Sequence, residues 1–361
     1  MYLKRIKLLN FRNYEQLNID GFSEKINIFY GANAQGKTNL LEAIHICANG
    51  KSFRINADSK TIKFNTAGAY LCVEFFKDGQ VNSIEVIIEK DKKKSIKING
   101  IPAKNLKELL GNLFVIVFSP EDLKTVKESP ALRRAFIDAE ISKIRPSYVD
   151  ALKKYTKIIA EKNAALRKRN QPNTREIIEA YNEQLEGIIK MILKNRMAYI
   201  KKLNEMVSQT HNELSGGKEK IKIAYKSTIN VDNIKETLQK LVQKELDEFG
   251  CTAGPHRDDI DFTINDKDAR VYASQGQLRT LMLAVKTACL KILEQNTGQT
   301  PILLLDDVFS ELDPARKQNL LDYLKEFQVF ITTADLKELK QTNGAEKFEV
   351  IGGTIRHCKK D

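Results

Sequence analysis

The densest chemistry in this chain lies in one run of residues, Gly31-Ala32-Asn33-Ala34-Gln35-Gly36-Lys37-Thr38. Two glycines enclosing four residues, followed by Lys and Thr, match a phosphate-binding loop. Glycine at 31 and 36 permits backbone angles that other residues resist. The exposed N–H groups can then surround phosphate oxygens, at the start of a helix whose dipole favours negative charge. Lys37 is placed to reach the β- and γ-phosphates and Thr38 to ligate Mg²⁺, with Asn39 following in the first helical turn. The ligand this set predicts is ATP, with Mg²⁺ as its metal.

A second feature is Ile302-Leu303-Leu304-Leu305-Asp306-Asp307. An apolar strand ending in a carboxylate supplies the magnesium-site Asp of phosphate-loop ATPases, and that role falls to Asp306. Asp307 then sits beside the γ-phosphate, to position or deprotonate the attacking water. Lys37, Asp306 and Asp307 are therefore the candidate catalytic residues. Taken alone, the two carboxylates also read as a strand that ends at solvent.

A third feature is Ser274-Gln275-Gly276-Gln277, about 30 residues before Asp306 and opening a helical stretch. Ser274 and the N–H groups near Gly276 suit an anion, and the same residues also make an ordinary helix N-cap. Leu214-Ser215-Gly216-Gly217 has similar composition, but Lys218 follows it and KEKIKIAY then reads as a strand, so it is assigned to a turn. Ser310-Glu311-Leu312-Asp313 follows the second carboxylate directly and is compatible with a helix cap before Pro314.

The elements that must hold these residues read as an α/β lobe with a helical insertion. LKRIKLL and KINIFY are strand-length runs, and the stretch from Lys37 to about Cys47 is helical. YLCVEFF, VNSIEVIIE and KSIKING alternate and are separated by turns at Asp78-Gly79 and Asp91-Lys92, which predicts an antiparallel meander. LFVIVF is an apolar run expected to be a buried strand. From about Ser129 to Ser215 apolar residues recur three and four apart, broken at Gln171-Pro172-Asn173. Residues 231–249 predict another helix, ending at Gly250. Strands return at DDIDFTI, PILLL and QVFITT, with a helix over 276–294 between the first two. The expected segments are 1–128, first half of the nucleotide lobe; 129–250, the helical insertion lobe; and 251–361, the second half.

Composition narrows the partners. The chain of 361 residues carries a formal charge of +12, which favours polyanions. Residues 143–202 hold 15 Lys and Arg against 6 Asp and Glu, so most of the excess sits in the insertion. No apolar stretch of membrane-spanning length occurs, and the N-terminus lacks the uninterrupted apolar core of a signal peptide. A cytoplasmic protein without membrane attachment is expected. Five cysteines without metal-ligand spacing predict reduced thiols.

The three features in this order resemble the ABC ATPase class, and the insertion between the first and the others resembles its Rad50/SMC-like branch. Further stretches resemble the bacterial RecF recombination mediator family in particular. They are Asn10-Phe11-Arg12-Asn13-Tyr14, Phe118-Ser119-Pro120-Glu121-Asp122-Leu123, Arg133-Arg134-Ala135-Phe136-Ile137-Asp138 and Gly254-Pro255-His256-Arg257-Asp258-Asp259. The resemblance spans nearly the whole chain. It implies an ATP-dependent homodimer in which Ser274, Gln275, Gly276 and Gln277 meet the nucleotide held by Lys37 of the other subunit. Ser310 and Asp313 would then belong to a D-loop at that interface. It also implies binding to double-stranded and gapped DNA in recombinational repair, replication-fork maintenance and the response to DNA damage. RecR is the implied partner, with RecO and RecA in the same pathway. Two departures from the wider class stand out. Asp307 replaces the more usual Glu, which fits slow turnover, and the usual His after QVFITT is absent, with Thr332 and Thr333 nearby.

Several residues keep two readings. Arg12 is either a nucleotide contact or a surface Arg on a turn. His256 and Arg257 are nucleotide-sensing groups or a structural cluster with Asp258 and Asp259. Arg133 and Arg134 contact DNA phosphates or form a solvated helix face. The same choice applies to Lys153, Lys154, Lys157, Arg167, Lys168 and Arg169 in the basic segment. The rival to a DNA-binding switch is an ABC-type ATPase subunit that serves a membrane or other protein partner. A structural SMC-type arm needs far more heptad sequence than this chain holds.

Overall fold

The structure, a computed structural model, describes all residues except 56, 169–172, 216–218, 310–316, 319, 322–323, 340–343 and 359–361, and the side chains of 212–215 and 337–338. The chain divides into two compact units, Met1–Asp122 with Leu290–Asp361, and Leu123–Cys289.

The first unit begins with the strands β1 (Tyr2–Phe11) and β2 (Tyr14–Asp20), joined by a two-residue turn at Arg12-Asn13. Ile6 and Leu8 of β1 are buried on one face, as a one-sided antiparallel strand requires, and Phe11 is buried after the backbone irregularity at Asn10, with φ 52°. After β3 (Ile26–Tyr30) the phosphate-loop segment leads into α1 (Lys37–Asn49). β4 (Gly68–Lys77), β5 (Gln80–Glu89), β6 (Ser95–Ile98) and the short β7 (Ile101–Pro102) form the expected meander. Together with β1 and β2 they make a six-stranded antiparallel sheet in the order β2-β1-β4-β5-β6-β7. The short helix α2 (Leu106–Leu109) and the buried strand β8 (Val115–Phe118) end this half.

The second unit is mainly helical. It comprises α3 (Leu123–Lys127), α4 (Pro130–Ile144), α5 (Pro146–Arg167), α6 (Thr174–Ser215), β9 (Ile221–Lys226), α7 (Ile234–Glu248), β10 (Asp259–Ile264), β11 (Lys267–Asp268), α8 (Ala269–Tyr272) and α9 (Gln275–Thr297). Leu166, Ile178, Val242 and Cys251 form a shared core of α5, α6 and α7. β9, β10 and β11 make a small antiparallel sheet. Residues 251–289 thus lie in this unit and not in the nucleotide lobe where the sequence segmentation puts them. The reason is pairing: β10 hydrogen-bonds to β9 along its whole length. The division itself falls inside α9. Helix α7 also ends differently from expectation. Phe249, not Gly250, takes the left-handed cap position, with φ 58°.

The chain then completes the first unit with β12 (Ile302–Asp306), β13 (Val329–Thr333) and the hairpin β14 (Glu346–Ile351) and β15 (Thr354–Cys358). The second sheet has the order β15-β14-β3-β13-β12-β8, parallel except for the edge strand β15. β12 and β13, from the C-terminal half, lie between β8 and β3, from the N-terminal half. Apolar burial drives this interleaving, since all four strands are mainly apolar and buried along most of their length. Phe22, Phe29, Phe330 and Phe348 pack their rings against one another, with Phe29 and Phe348 stacked at 4.8 Å between centroids. Such rings bury on the order of 150–250 Å² each and fix the register of strands from both ends of the chain.

Candidate nucleotide site

The loop between β3 and α1 has the conformation its glycines predict. Gly31 and Gly36 have φ of 148° and 115°, and Ala34 between them has φ 65°. A Cβ on Gly31 would meet the carbonyl oxygen of Val350 in β14 at 2.4 Å, and one on Gly36 would meet the side chain of Asn13 at 2.5 Å. Neither position tolerates a side chain, so the loop is walled on its outer side by β14 and the β1–β2 turn. Lys37 is largely buried and donates from Nζ to the carbonyls of Gly31, at 2.6 Å, and Ala32, at 2.8 Å. Burial lowers its pKa, while Asp307 and Asp306 act in the opposite direction. Its ammonium therefore lies across the loop, among the backbone groups that would face a phosphate.

Strand pairing brings the distant carboxylates to this loop. β13 separates β3 from β12, and Thr332 of β13 stands opposite Asp306 of β12. Asp306 is buried, and its Oδ1 accepts hydrogen bonds from the hydroxyls of Thr38, at 2.7 Å, and Thr332, at 2.8 Å. Burial raises the Asp306 pKa, the two threonine hydroxyls and Arg54 pull it down, and Asp307 adds to the rise. Asp307 lies just beyond the strand with φ 51°, its N–H held by the carbonyl and hydroxyl of Thr332. Thr332, noted in the sequence only as a neighbour of a missing His, thus holds the Asp306 carboxylate and the backbone N–H of Asp307. A buried carboxylate next to a second carboxylate and a threonine hydroxyl is a hard oxygen donor set of the kind Mg²⁺ takes.

The remaining candidates fall in several places. Asn39 donates to Asn13 Oδ1 at 2.8 Å and accepts from Arg54 at 3.0 Å, so it belongs to the loop's surroundings. Arg12 has φ 53° and makes a two-pronged ion pair with Glu42 of α1, at 2.7 and 2.9 Å. Glu42 is fully buried, so Arg12 anchors the start of α1 to the β1–β2 turn and is not a free surface Arg. Ser274 and Gln277 form a reciprocal capping box, with Gln277 N–H donating to Ser274 Oγ and Ser274 N–H donating to Gln277 Oε1. Ser274 and Gln275 are exposed at the start of α9, and Gly276 is half-buried. Gln277 also donates to Glu219 at 2.9 Å. Ser310 and Asp313 lie outside the described residues, as do Gly216 and Gly217 of the turn assignment.

The arginine pair at the start of α4 requires a correction. Arg133 is 1% exposed and is neither a phosphate contact nor a solvated face. Its guanidinium pairs with both oxygens of Asp259, at 2.7 and 3.0 Å, and caps the carbonyls of Val126 and Glu128. Arg134 donates to the carbonyl of Asp258, and burial lowers its pKa. His256 contacts the Tyr155 hydroxyl through Nδ1 at 2.6 Å, and Arg257 donates to the carbonyl of Cys251. These hydrogen bonds run to Tyr155 and Cys251 and not to Asp258 and Asp259, which take Thr228 and Arg133 as partners. Removing the Arg133 cation leaves Asp259 without its main partner. Arg133→Met is expected to cost about 3 kcal/mol, read as an earlier urea unfolding transition; an unchanged transition would refute the structural role.

The basic segment is also less free than its composition suggests. Lys162 is buried in an ion pair with Glu245 at 2.6 Å, Arg196 pairs with Asp138 at 2.8 Å, and Lys143 pairs with Glu140 at 2.7 Å. Lys153, Lys154, Lys157, Arg167 and Lys168 are exposed. Arg169 lies outside the described residues. The described residues contain no cluster of three or more His, Cys, Asp or Glu able to hold a metal, and no helix long and apolar enough to cross a membrane.

A parallel sheet that delivers a phosphate loop from β3 and a paired-Asp strand end from β12, two strands apart, defines an ABC-type ATPase fold of the SMC-head branch. Solved structures bear this out. An Smc head bound to the C-winged helix domain of ScpA superposes with a TM-score of 0.60 at 18% identity, over 99% of this chain and 97% of that one. The recombination mediator protein RecF of the RecFOR pathway, solved with ATP, superposes with a TM-score of 0.92 at 36% identity, over 99% of this chain and 98% of that one. The DNA replication and repair protein RecF of Clostridium perfringens is 42% identical over 363 aligned positions, which cover 99% of this chain and all of the relative. Residues 2–352 match the RecF/RecN/SMC N-terminal domain. The chain belongs to that family and, within it, to the RecF proteins.

Proposed function

We propose that this protein is an ATP-dependent DNA-binding switch of recombinational repair and replication. ATP binding closes a homodimer on double-stranded or gapped DNA, and slow hydrolysis opens it. The observation that carries the nucleotide part is the meeting of Thr38 and Asp306 at 2.7 Å beside Lys37, residues brought together from opposite ends of the chain. Membership of the RecF family, with a RecF structure that holds ATP, supports the same ligand. Mg²⁺ would be held by Thr38 with Asp306, and when bound it neutralises charge on the β- and γ-phosphate oxygens. Lys37 would exchange the Gly31 and Ala32 carbonyls for phosphate oxygens. Thr332 keeps the Asp306 carboxylate aimed at Thr38. Asp307 would position the attacking water, and its short side chain suits a timer rather than a motor.

In the dimer, Ser274 and the N–H groups of Gln275, Gly276 and Gln277 would meet the nucleotide of the other subunit. Ser310 and Asp313 would flank that interface. Exposed Lys153, Lys154, Lys157, Arg167 and Lys168, with Arg169, would contact DNA phosphates without regard to sequence. RecR is the proposed direct partner, with RecO and RecA acting in the same pathway, and a cytoplasmic location follows from this role.

Fluorescence anisotropy of labelled single-stranded, duplex and gapped DNA tests the proposal, with ATP, with ADP and without nucleotide. Binding to duplex or gapped DNA is expected to tighten with ATP alone. Equal binding in all three states would remove DNA as the ligand under nucleotide control and leave a protein partner in its place. The lysine and arginine assignment has its own test. Reversing the charges of Arg167, Lys168 and Arg169 together is expected to weaken binding to every DNA sequence and to reduce the salt slope by up to about 3. Unchanged affinity at moderate salt would move the DNA surface elsewhere.

A further inference from the structure

The carbonyls of the phosphate loop are held from behind by residues with no assigned role. Gln35 O accepts the side-chain amide of Asn13 at 2.8 Å and the N–H of Gly353 at 3.1 Å. Gly36 O accepts the hydroxyl of fully buried Tyr14 at 2.9 Å as well as the first helical N–H, from Leu40. The Gln35 side chain in turn accepts the N–H of Gly352 at 2.7 Å. Gly352 and Gly353 are the turn of the C-terminal hairpin β14–β15, more than 300 residues away in sequence. Asn13 continues the network to Asn39.

The geometry of a trans peptide gives these contacts a consequence. The C=O of one residue and the N–H of the next point in opposite directions from the same plane. Donors that pull the carbonyls of Gln35 and Gly36 outward therefore turn the N–H groups of Gly36 and Lys37 inward. Those N–H groups are the ones the loop offers to phosphate. We infer that Asn13, Tyr14 and the Gly352-Gly353 turn are positioning residues that pre-aim the phosphate loop, so that nucleotide affinity depends on the C-terminal hairpin as well as on the loop itself. This inference rests on the nucleotide reading above. All three contact carbonyls of the loop; each acts through the orientation of one peptide plane, which lowers the cost of ordering the loop on binding.

Tyr14→Phe is the cleanest probe, because it removes one hydroxyl and keeps the buried ring. Calorimetric titration of the full chain with MgADP is expected to show an affinity about fivefold weaker than wild type, the loss of one neutral hydrogen bond. The double variant Asn13→Ala with Tyr14→Phe is expected to lose about 30-fold. The melting temperature without nucleotide separates positioning from folding. A purely structural role predicts lower melting with unchanged affinity of the folded protein, and that result would overturn the inference. Hydrogen exchange supplies a second readout, with the Gly353 amide expected to slow when MgADP binds. If wild type itself does not bind MgADP, the nucleotide reading fails and this inference with it. If wild type binds and both variants bind equally well, the inference alone fails.

Discussion

Lys37→Met is expected to abolish tight ATP binding and, with it, dimerisation. The ammonium is the one cation inside the loop, and it is already partly desolvated, with its donors directed at Gly31 and Ala32. Charge-assisted hydrogen bonds to phosphate in such a setting contribute about 3 kcal/mol, which corresponds to a loss of about 100-fold in affinity. Met fills much of the same space and removes a buried charge, so folding should survive. Calorimetry with MgATP gives the affinity, and light scattering with and without ATP gives the mass. An affinity within threefold of wild type would show that Gly31–Thr38 is not the nucleotide site.

Ser274→Arg is expected to leave ATP binding by the monomer intact and to eliminate the ATP-dependent dimer. Ser274 lies in the second compact unit, whereas Lys37, Thr38, Asp306 and Asp307 lie in the first. Ser274 is exposed, its hydroxyl receives the Gln277 N–H from its own helix, and a long cation there would block the approach of another subunit's nucleotide. Loss of the cap costs about 1 kcal/mol, too little to unfold the unit. Ser274→Ala separates the two effects, since it removes the same cap without adding bulk. If Ser274→Arg dimerised normally with ATP, the capping box would be only that, and the surface that senses the partner's nucleotide would lie elsewhere.

Most signals set by short-range physics were legible. The phosphate loop, the strand before it and the helix after it follow from glycine freedom, apolar runs and helical spacing. The N-cap reading of Ser274 follows from a Ser placed just before a helical run, and the reciprocal bond from Gln277 is added by the structure. The meander from β4 to β6 follows from alternation and its two turns. The exit of α7 did not, because Gly250 is the better left-handed residue in isolation and yet Phe249 occupies that position. The basic segment misled in a similar way. Lys143, Lys162 and Arg196 count as charge in the sequence, but in the fold each pairs with a carboxylate from another turn or another helix, and Lys162 and Arg196 are buried. Arg133 sits on a helix that looks solvated by composition, and its partner Asp259 is 126 residues away.

The inventory is written along the chain: a phosphate loop, a paired-Asp strand, an α/β lobe with a helical insertion, and an excess of positive charge. Each is written in residue types within a few positions of one another, where turn chemistry, capping and periodicity act. Which of these residues meet is set by strand order in the folded chain. Asp306 reaches Thr38 because β12 and β13 insert between β3 and β8, and Gln35 is held by Gly352 and Gly353 because β14 pairs with β3. Those registers are set by burial of apolar strands from both ends of the chain, a long-range cost and gain that no local pattern records.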